Sequence, residues 1–208
     1  EVRDLIAYLR LIHNEYDSMA FQRIVNVPTR GIGAKSTSDL LAAAVELGLS
    51  PLAAGARAAR GDNKLPTFRS NIQFALSQFV AQLDDLGQSR EMLTIAELLD
   101  RVIAATNYRA YLEKSDPEHH EVRWENVQEL RNVAAQYEEV ETDSTLAQFL
   151  EEVALVSDVD DPGADQPDAV TLITLHSAKG LEYPVVFMPG MEEGILPHMR
   201  AIDDPGQL

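Results

Sequence analysis

The sequence contains no cysteine, which removes disulfides, thiolate zinc sites and cysteine nucleophiles together and suits a reducing cytosol. It has no apolar run near the roughly 18 to 20 residues that a bilayer-crossing helix needs. Its opening, Glu1-Val2-Arg3-Asp4, is not the basic-then-apolar start of a secretory signal. Neither secretion nor membrane insertion is expected, and the expected compartment is the cytoplasm. Basic residues are scarce: 17 Lys and Arg stand against 34 Asp and Glu, a formal charge of -17 over 208 residues. Phosphate binding rests on cations that displace counterions, so the surface as a whole should repel nucleic acid. Any such contact has to be local.

What is present has a globular profile, 45% hydrophobic and 25% charged, enough for one ordinary core or two small ones. Val2, Leu5, Ile6, Leu9 and Ile12 fall at helical spacing and predict an amphipathic helix over 1–13. It starts without a capping residue before it, as expected of a piece of something longer. Helical patterns recur over 36–47, 51–59, 66–86, 94–105, 119–140 and 144–156. They are punctuated by Ser50-Pro51, Gly61-Asp62-Asn63, Asp116-Pro117 and Asp143-Ser144-Thr145. No internal repeat is visible.

Residues 157–168, SDVDDPGADQPD, hold five aspartates, two prolines and a glycine, the composition of an exposed connector. After it, VTLITL and PVVFM are β-branched, nearly continuous apolar runs, the pattern of strands buried on both faces of an α/β sheet. The fold class expected is therefore mainly α. A helical domain is inserted into a partial α/β domain represented by one N-terminal helix and two C-terminal strands.

Between and beside those strands, TLHSAKGLE brings His176, Ser177, Lys179 and Glu182 to the mouth of a sheet, where ligands of open α/β folds bind. His176 and Lys179 suit phosphate oxygens and Ser177 can donate a hydrogen bond. Glu182, an acceptor when ionised, suits a sugar hydroxyl. A solvated turn, with Glu182 paired to a nearby cation, is the plain alternative. A second cluster is Pro28-Thr29-Arg30-Gly31-Ile32-Gly33-Ala34-Lys35, a glycine-containing turn before a helix start. Small residues there would let a backbone approach while N–H groups face a phosphate. From Phe21 to Thr37 the chain has Arg23, Arg30 and Lys35 and no acid, a local positive patch. A plain glycine-rich connection between helices is the alternative here.

VTLITLHSAKGLEYPVVFMPGMEEGILPH closely resembles motif V and its continuation in superfamily I DNA helicases of the UvrD, PcrA and Rep type. EVRDLIAYLRLIHNEYDSMAFQRIVNVPTRGIG resembles the end of the first half of that family's RecA-like 2A domain running into its inserted 2B domain. The resemblance implies a division into residues 1–20 (end of the first half of 2A), 21–156 (helical 2B), 157–168 (acidic linker) and 169–208 (start of the second half of 2A, with motif V). It further implies that His176 lies by the single-stranded DNA track, with Ser177 and Lys179 beside it, and that Glu182 accepts from the ATP ribose. Thr29, Arg30, Gly31, Ile32, Gly33 and Lys35 would meet duplex DNA as one half of a helix-hairpin-helix, through its backbone and without sequence preference.

The whole protein implied is an ATP- and Mg2+-dependent 3'-5' DNA translocase in a bacterial, nucleoid-associated setting, with repair or replication proteins as possible partners of 2B and no membrane partner. Taken alone, this chain is expected neither to turn over ATP nor to hold a cofactor. It lacks G-x-x-x-x-G-K-[ST], Lys179-Gly180 is in the wrong order, and the arginine motif is expected beyond Asp203-Asp204-Pro205-Gly206-Gln207-Leu208. Two other readings stay open: an acidic helical interaction module, which leaves TLHSAKGLE unexplained, and the helicase arm of a RecB- or AddA-type recombination nuclease.

Lesser features are assigned to structure. His119 and His120 point about 100° apart on a helix and cannot easily share a metal. Trp124 falls at helical spacing with Val127 and Leu130, as core packing does. Tyr108, Tyr111 and Tyr183 are read as packing residues, and Glu192-Glu193 has no catalytic assignment.

Overall fold

A computed structural model describes residues 1–140, 145–157, 173, 183 and 185–189. By internal contacts the chain divides into two compact units, Glu1–Ser157 and Asp158–Leu208.

Among its described residues the first unit is all helix: α1 (Val2–His13), α2 (Ser18–Ile24), α3 (Ala34–Glu46), α4 (Pro51–Ala59), α5 (Ser70–Ser89), α6 (Ile95–Thr106), α7 (Tyr108–Ser115), α8 (His120–Val140) and α9 (Leu146–Ser157). Their starts carry the expected chemistry. Asp17 accepts from the Ala20 amide at 2.8 Å, and Ser50 accepts from the Ala53 amide at 3.1 Å ahead of Pro51. Thr94 and Glu97 form a reciprocal capping box on α6. Glu138 of α8 reaches the same helix start and accepts from the Ile95 amide at 2.5 Å.

One apolar cluster runs through all these helices. It includes Leu5, Tyr8 and Leu9 of α1, each 0% exposed. The first helix is thus packed into the helical unit, in the same core as Phe21, Phe79, Leu99, Tyr108 and Phe149. Phe21 and Phe79 meet edge to face, with centroids 5.7 Å apart. Where α4 lies on α5, a Cβ on Gly55 would come within 3.3 Å of Val80 Cγ2, so the absence of a side chain sets how closely these helices approach. Trp124 is half-buried against the core beneath the Arg109 guanidinium, 5.2 Å from the ring centroid.

Two helices were not foreseen by periodicity. α2 spans seven residues and α7 eight, too short to show a period. Asn107 separates α6 from α7 by adopting φ 49 and ψ 46, a left-handed conformation that asparagine tolerates. α5 starts at Ser70, later than the expected 66, because residues 66–69 around Pro66 are not helical.

In the second unit the expected strand PVVFM is not formed among the described residues. Val185–Met188 are without strand structure and exposed. Of VTLITL only Ile173 is described, so that expectation lies outside the described residues. Tyr183, read as a packing residue, is 41% exposed. No single described helix is long and apolar enough to cross a bilayer. α3 and α4 pass that test only as a pair, and they meet at 111°.

A polar contact closes the first unit near its start. Asp4, 8% exposed, accepts from the Tyr108 hydroxyl at 2.8 Å and pairs with Arg23 Nε at 2.8 Å. Burial, with the Asp4 charge adding to it, pushes the Tyr108 hydroxyl far above its ordinary value. Burial also raises Tyr8, against the pull of Arg30. Folded values above the unfolded value near 10 mean that stability is intact below that pH and is lost as pH rises above it. The unfolding free energy from denaturant titrations should therefore stay level from pH 7 to 9 and fall above about pH 10, by roughly 1.4 kcal/mol per pH unit for each tyrosine still protonated in the fold. Tyr108→Phe should flatten that fall; an unaltered slope would contradict the assignment.

Candidate nucleic-acid interface

The segment joining α2 to α3 is built around one side-chain amide. Asn26 Oδ1 accepts from the Arg30 amide at 2.8 Å and from the Ile32 amide at 3.1 Å, bending the chain over Pro28 and Thr29. Asparagine side chains commonly stand in for a backbone group in this way within turns. Ile32, only 2% exposed, anchors the far side of the bend in the core. Gly31 takes φ +79, a conformation that favours glycine, with open space where a Cβ would be.

Gly33 is different. It is the N-cap of α3 with φ -76 and ψ 163, which any residue can adopt, and no side chain caps the helix. A Cβ there would also meet nothing within 4 Å. Folding therefore does not call for glycine at this position. The first turn of α3 holds no acid, and Gly31, Gly33, Ala34 and Lys35 are all exposed. The arrangement is an exposed, uncapped helix start, whose amide groups and dipole favour an anion.

The three cations expected to form a patch have separate fates. Arg23 is paired with Asp4 at 2.8 Å. Arg30 turns inward: Nη1 donates to the carbonyls of Ile24 (3.0 Å), Pro28 (3.1 Å) and, more weakly, Val25 (3.4 Å). Its Nη2 donates to the Tyr8 hydroxyl at 2.7 Å and to Gln82 Oε1 at 3.2 Å. The guanidinium carbon sits 4.9 Å from the Phe79 ring centroid. Only Lys35 remains outward, and among the described residues no carboxylate pairs with it. The positive patch read from the sequence is thus, in space, one lysine beside a helix N-terminus.

Thr29 is exposed at the crest of the bend, whereas the Ile32 side chain is buried and its amide is taken by Asn26. His176, Ser177, Lys179 and Glu182 lie outside the described residues. Tyr8 and Gln82, which hold Arg30, had no local signal in the sequence. They stand 22 and 52 residues from it.

Among the described residues no group of three or more His, Asp or Glu side chains is placed to hold a metal ion. His119 Nδ1 lies 3.0 Å from Asp116 Oδ1, a local pair that holds the Asp116 carboxyl below its usual range.

Comparison with known proteins agrees with the resemblance. The UvrD-like helicase C-terminal domain matches residues 1–208. The chain is 38% identical over 222 residues to "ATP-dependent DNA helicase UvrD1" of Mycobacterium tuberculosis (strain ATCC 25618 / H37Rv), covering 100% of this chain and 28% of the relative. It is 36% identical over 219 residues to "ATP-dependent DNA helicase PcrA" of Bacillus subtilis (strain 168), again covering 100% of this chain and 28% of the relative. The chain thus spans under a third of the length of the curated relatives it matches. From its first residue to its last, this chain belongs to the UvrD-like helicase C-terminal domain family.

Proposed function

We infer that the chain is the part of an ATP-dependent 3'-5' DNA helicase that steadies the duplex ahead of the motor, with the bend between α2 and α3 resting on the duplex backbone. The single observation behind this is the exposed, uncapped start of α3 at Gly33 beside Lys35, on a chain whose relatives are named DNA helicases. A helix, a bend containing Gly-Ile-Gly and a second helix, in that order, support the resemblance to one half of a helix-hairpin-helix. Phosphate oxygens are the ligand that bare helix amides and one lysine would accept. Contacts of this kind carry no base information.

In this reading Thr29, Gly31 and Gly33 offer backbone and small surface, Ile32 anchors the bend from the core, and Lys35 supplies the charge. His176, Ser177 and Lys179 follow the single strand, and Glu182 accepts from the ATP ribose. ATP and Mg2+ belong to the whole protein. This chain by itself is not the ATPase. Repair or replication proteins are candidate partners of the helical unit.

Fluorescence anisotropy with a duplex carrying a single-stranded tail tests the bend directly. Lys35→Glu should weaken binding by about tenfold and reduce the log Kd against log salt slope by about one. Two duplexes of unrelated sequence should bind alike. Lys35→Glu binding as tightly as the unaltered chain would remove the duplex assignment.

Gly33 gives a second, opposed pair of readouts. Gly33→Ser supplies a cap and should raise stability by a few tenths of a kcal/mol, roughly the serine-over-glycine difference. The same hydroxyl would occupy an amide meant for phosphate, so duplex affinity should fall several-fold, on the order of one lost hydrogen bond. Gly31→Ala should instead cost about 1 kcal/mol in urea denaturation, because the backbone there is left-handed.

A further inference from the structure

Arg30 is the most highly coordinated side chain of the bend, and every partner it has is internal. Its two terminal nitrogens are spent on three carbonyls, the Tyr8 hydroxyl and the Gln82 amide oxygen. The partners are themselves fixed. The Tyr8 hydroxyl, while accepting from Arg30, donates to the Val27 carbonyl at 2.6 Å. Gln82 Nε2 donates to the Ala105 carbonyl in the last turn of α6 at 2.6 Å. The Phe79 ring closes one face of the guanidinium.

We propose that Arg30 is a positioning residue of the duplex-contacting bend: clamped between Tyr8 of α1 and Gln82 of α5, it fixes the posture of Gly31-Ile32-Gly33 and does not itself touch phosphate. This rests on the duplex reading above and changes what Arg30 does within it. Three consecutive stretches of the bend converge on one planar cation: the end of α2 through Ile24 and Val25, the turn through Pro28, and the residue before Gly31 through Arg30 itself. The planar fork of guanidinium can serve several acceptors at fixed angles, which a lysine ammonium on a flexible stem cannot. A group already satisfied this way would have to break several hydrogen bonds to reach a phosphate. Lys35, one residue into α3 and outward, needs no such rearrangement.

The test uses the whole chain and separates charge from posture. Gln82→Met removes one of the five Arg30 acceptors without changing any charge; Arg30→Gln removes the cation; Lys35→Ala removes the outward charge. Each is read by anisotropy over a salt series with the tailed duplex, and by hydrogen exchange at the Arg30 and Ile32 amides without DNA. For Gln82→Met and Arg30→Gln, exchange at those amides should quicken and duplex affinity should drop, each by roughly three- to tenfold, the worth of one hydrogen bond, with the salt slope unchanged. Lys35→Ala should lower the slope by about 0.9 and leave exchange as it was.

If Arg30→Gln instead lowers the slope as Lys35→Ala does while exchange stays slow, Arg30 contacts phosphate directly and the proposal is wrong. Unchanged exchange in Gln82→Met also overturns it, whatever the DNA does, and this arm holds even if Arg30→Gln does not fold. Unaltered binding by Lys35→Ala alongside quickened exchange in Gln82→Met overturns the duplex reading alone.

Discussion

A guanidinium cannot be deprotonated and cannot be left without acceptors when it is turned away from water. At Arg30 that constraint organises the most irregular part of the molecule. Past Ile24, the last residue of α2, no helix continues to satisfy the carbonyls, and the cation gathers those of Ile24, Val25 and Pro28 to itself. Asn26 does the complementary work, accepting from the amides that the bend leaves over. One donor-rich and one acceptor-bearing side chain thus replace the hydrogen bonding that secondary structure gives elsewhere, and among the described residues no buried side-chain polar atom lacks a partner.

The same economy governs the surface charge. A chain of net charge -17 has little Coulombic attraction to offer a polyanion, and two of the three cations near the bend are consumed by the fold, Arg23 on Asp4 and Arg30 on carbonyls. What remains for an anion is the dipole and free amides of α3 with Lys35. That is a short-range attraction, effective only when a phosphate is already close and screened within about a Debye length. Under the proposed reading, that fits resting on a duplex delivered by something else better than capturing DNA from solution.

The long helices were legible because burial on one side imposes a 3.6-residue period, and α1, α4, α6 and α8 fall within about a residue of where the pattern put them. Pro66 misled the start of α5, since proline marks both first turns and the extended approach to them. α2 and α7 escaped because seven or eight residues contain too little period to see. The uncapped glycine before α3 was legible as a motif; the inward turn of Arg30 was not, because it is decided by Tyr8 and Gln82, which no local pattern connects to it. Composition showed three cations, and only coordinates could say which faced out. Motif V carried the family resemblance, yet His176, Ser177, Lys179 and Glu182 lie outside the described residues, so the strongest sequence signal and the candidate site described above fall on different stretches of the chain.

α1 has more riding on its position than its twelve residues suggest. Leu5, Tyr8 and Leu9 are fully covered, Asp4 holds both Arg23 of α2 and Tyr108 of α7, and the Tyr8 hydroxyl joins Arg30 to the Val27 carbonyl. Withdrawing α1 would expose three large side chains at about 1.5 to 3 kcal/mol each and leave the buried Tyr108 hydroxyl without its Asp4 acceptor. Such a loss is comparable with the whole stability of an ordinary domain. The seat of α1 and the shape of the bend are therefore one structural variable, since any force that shifts this helix relative to α5 acts through Tyr8 on the guanidinium and so on the backbone at Gly31.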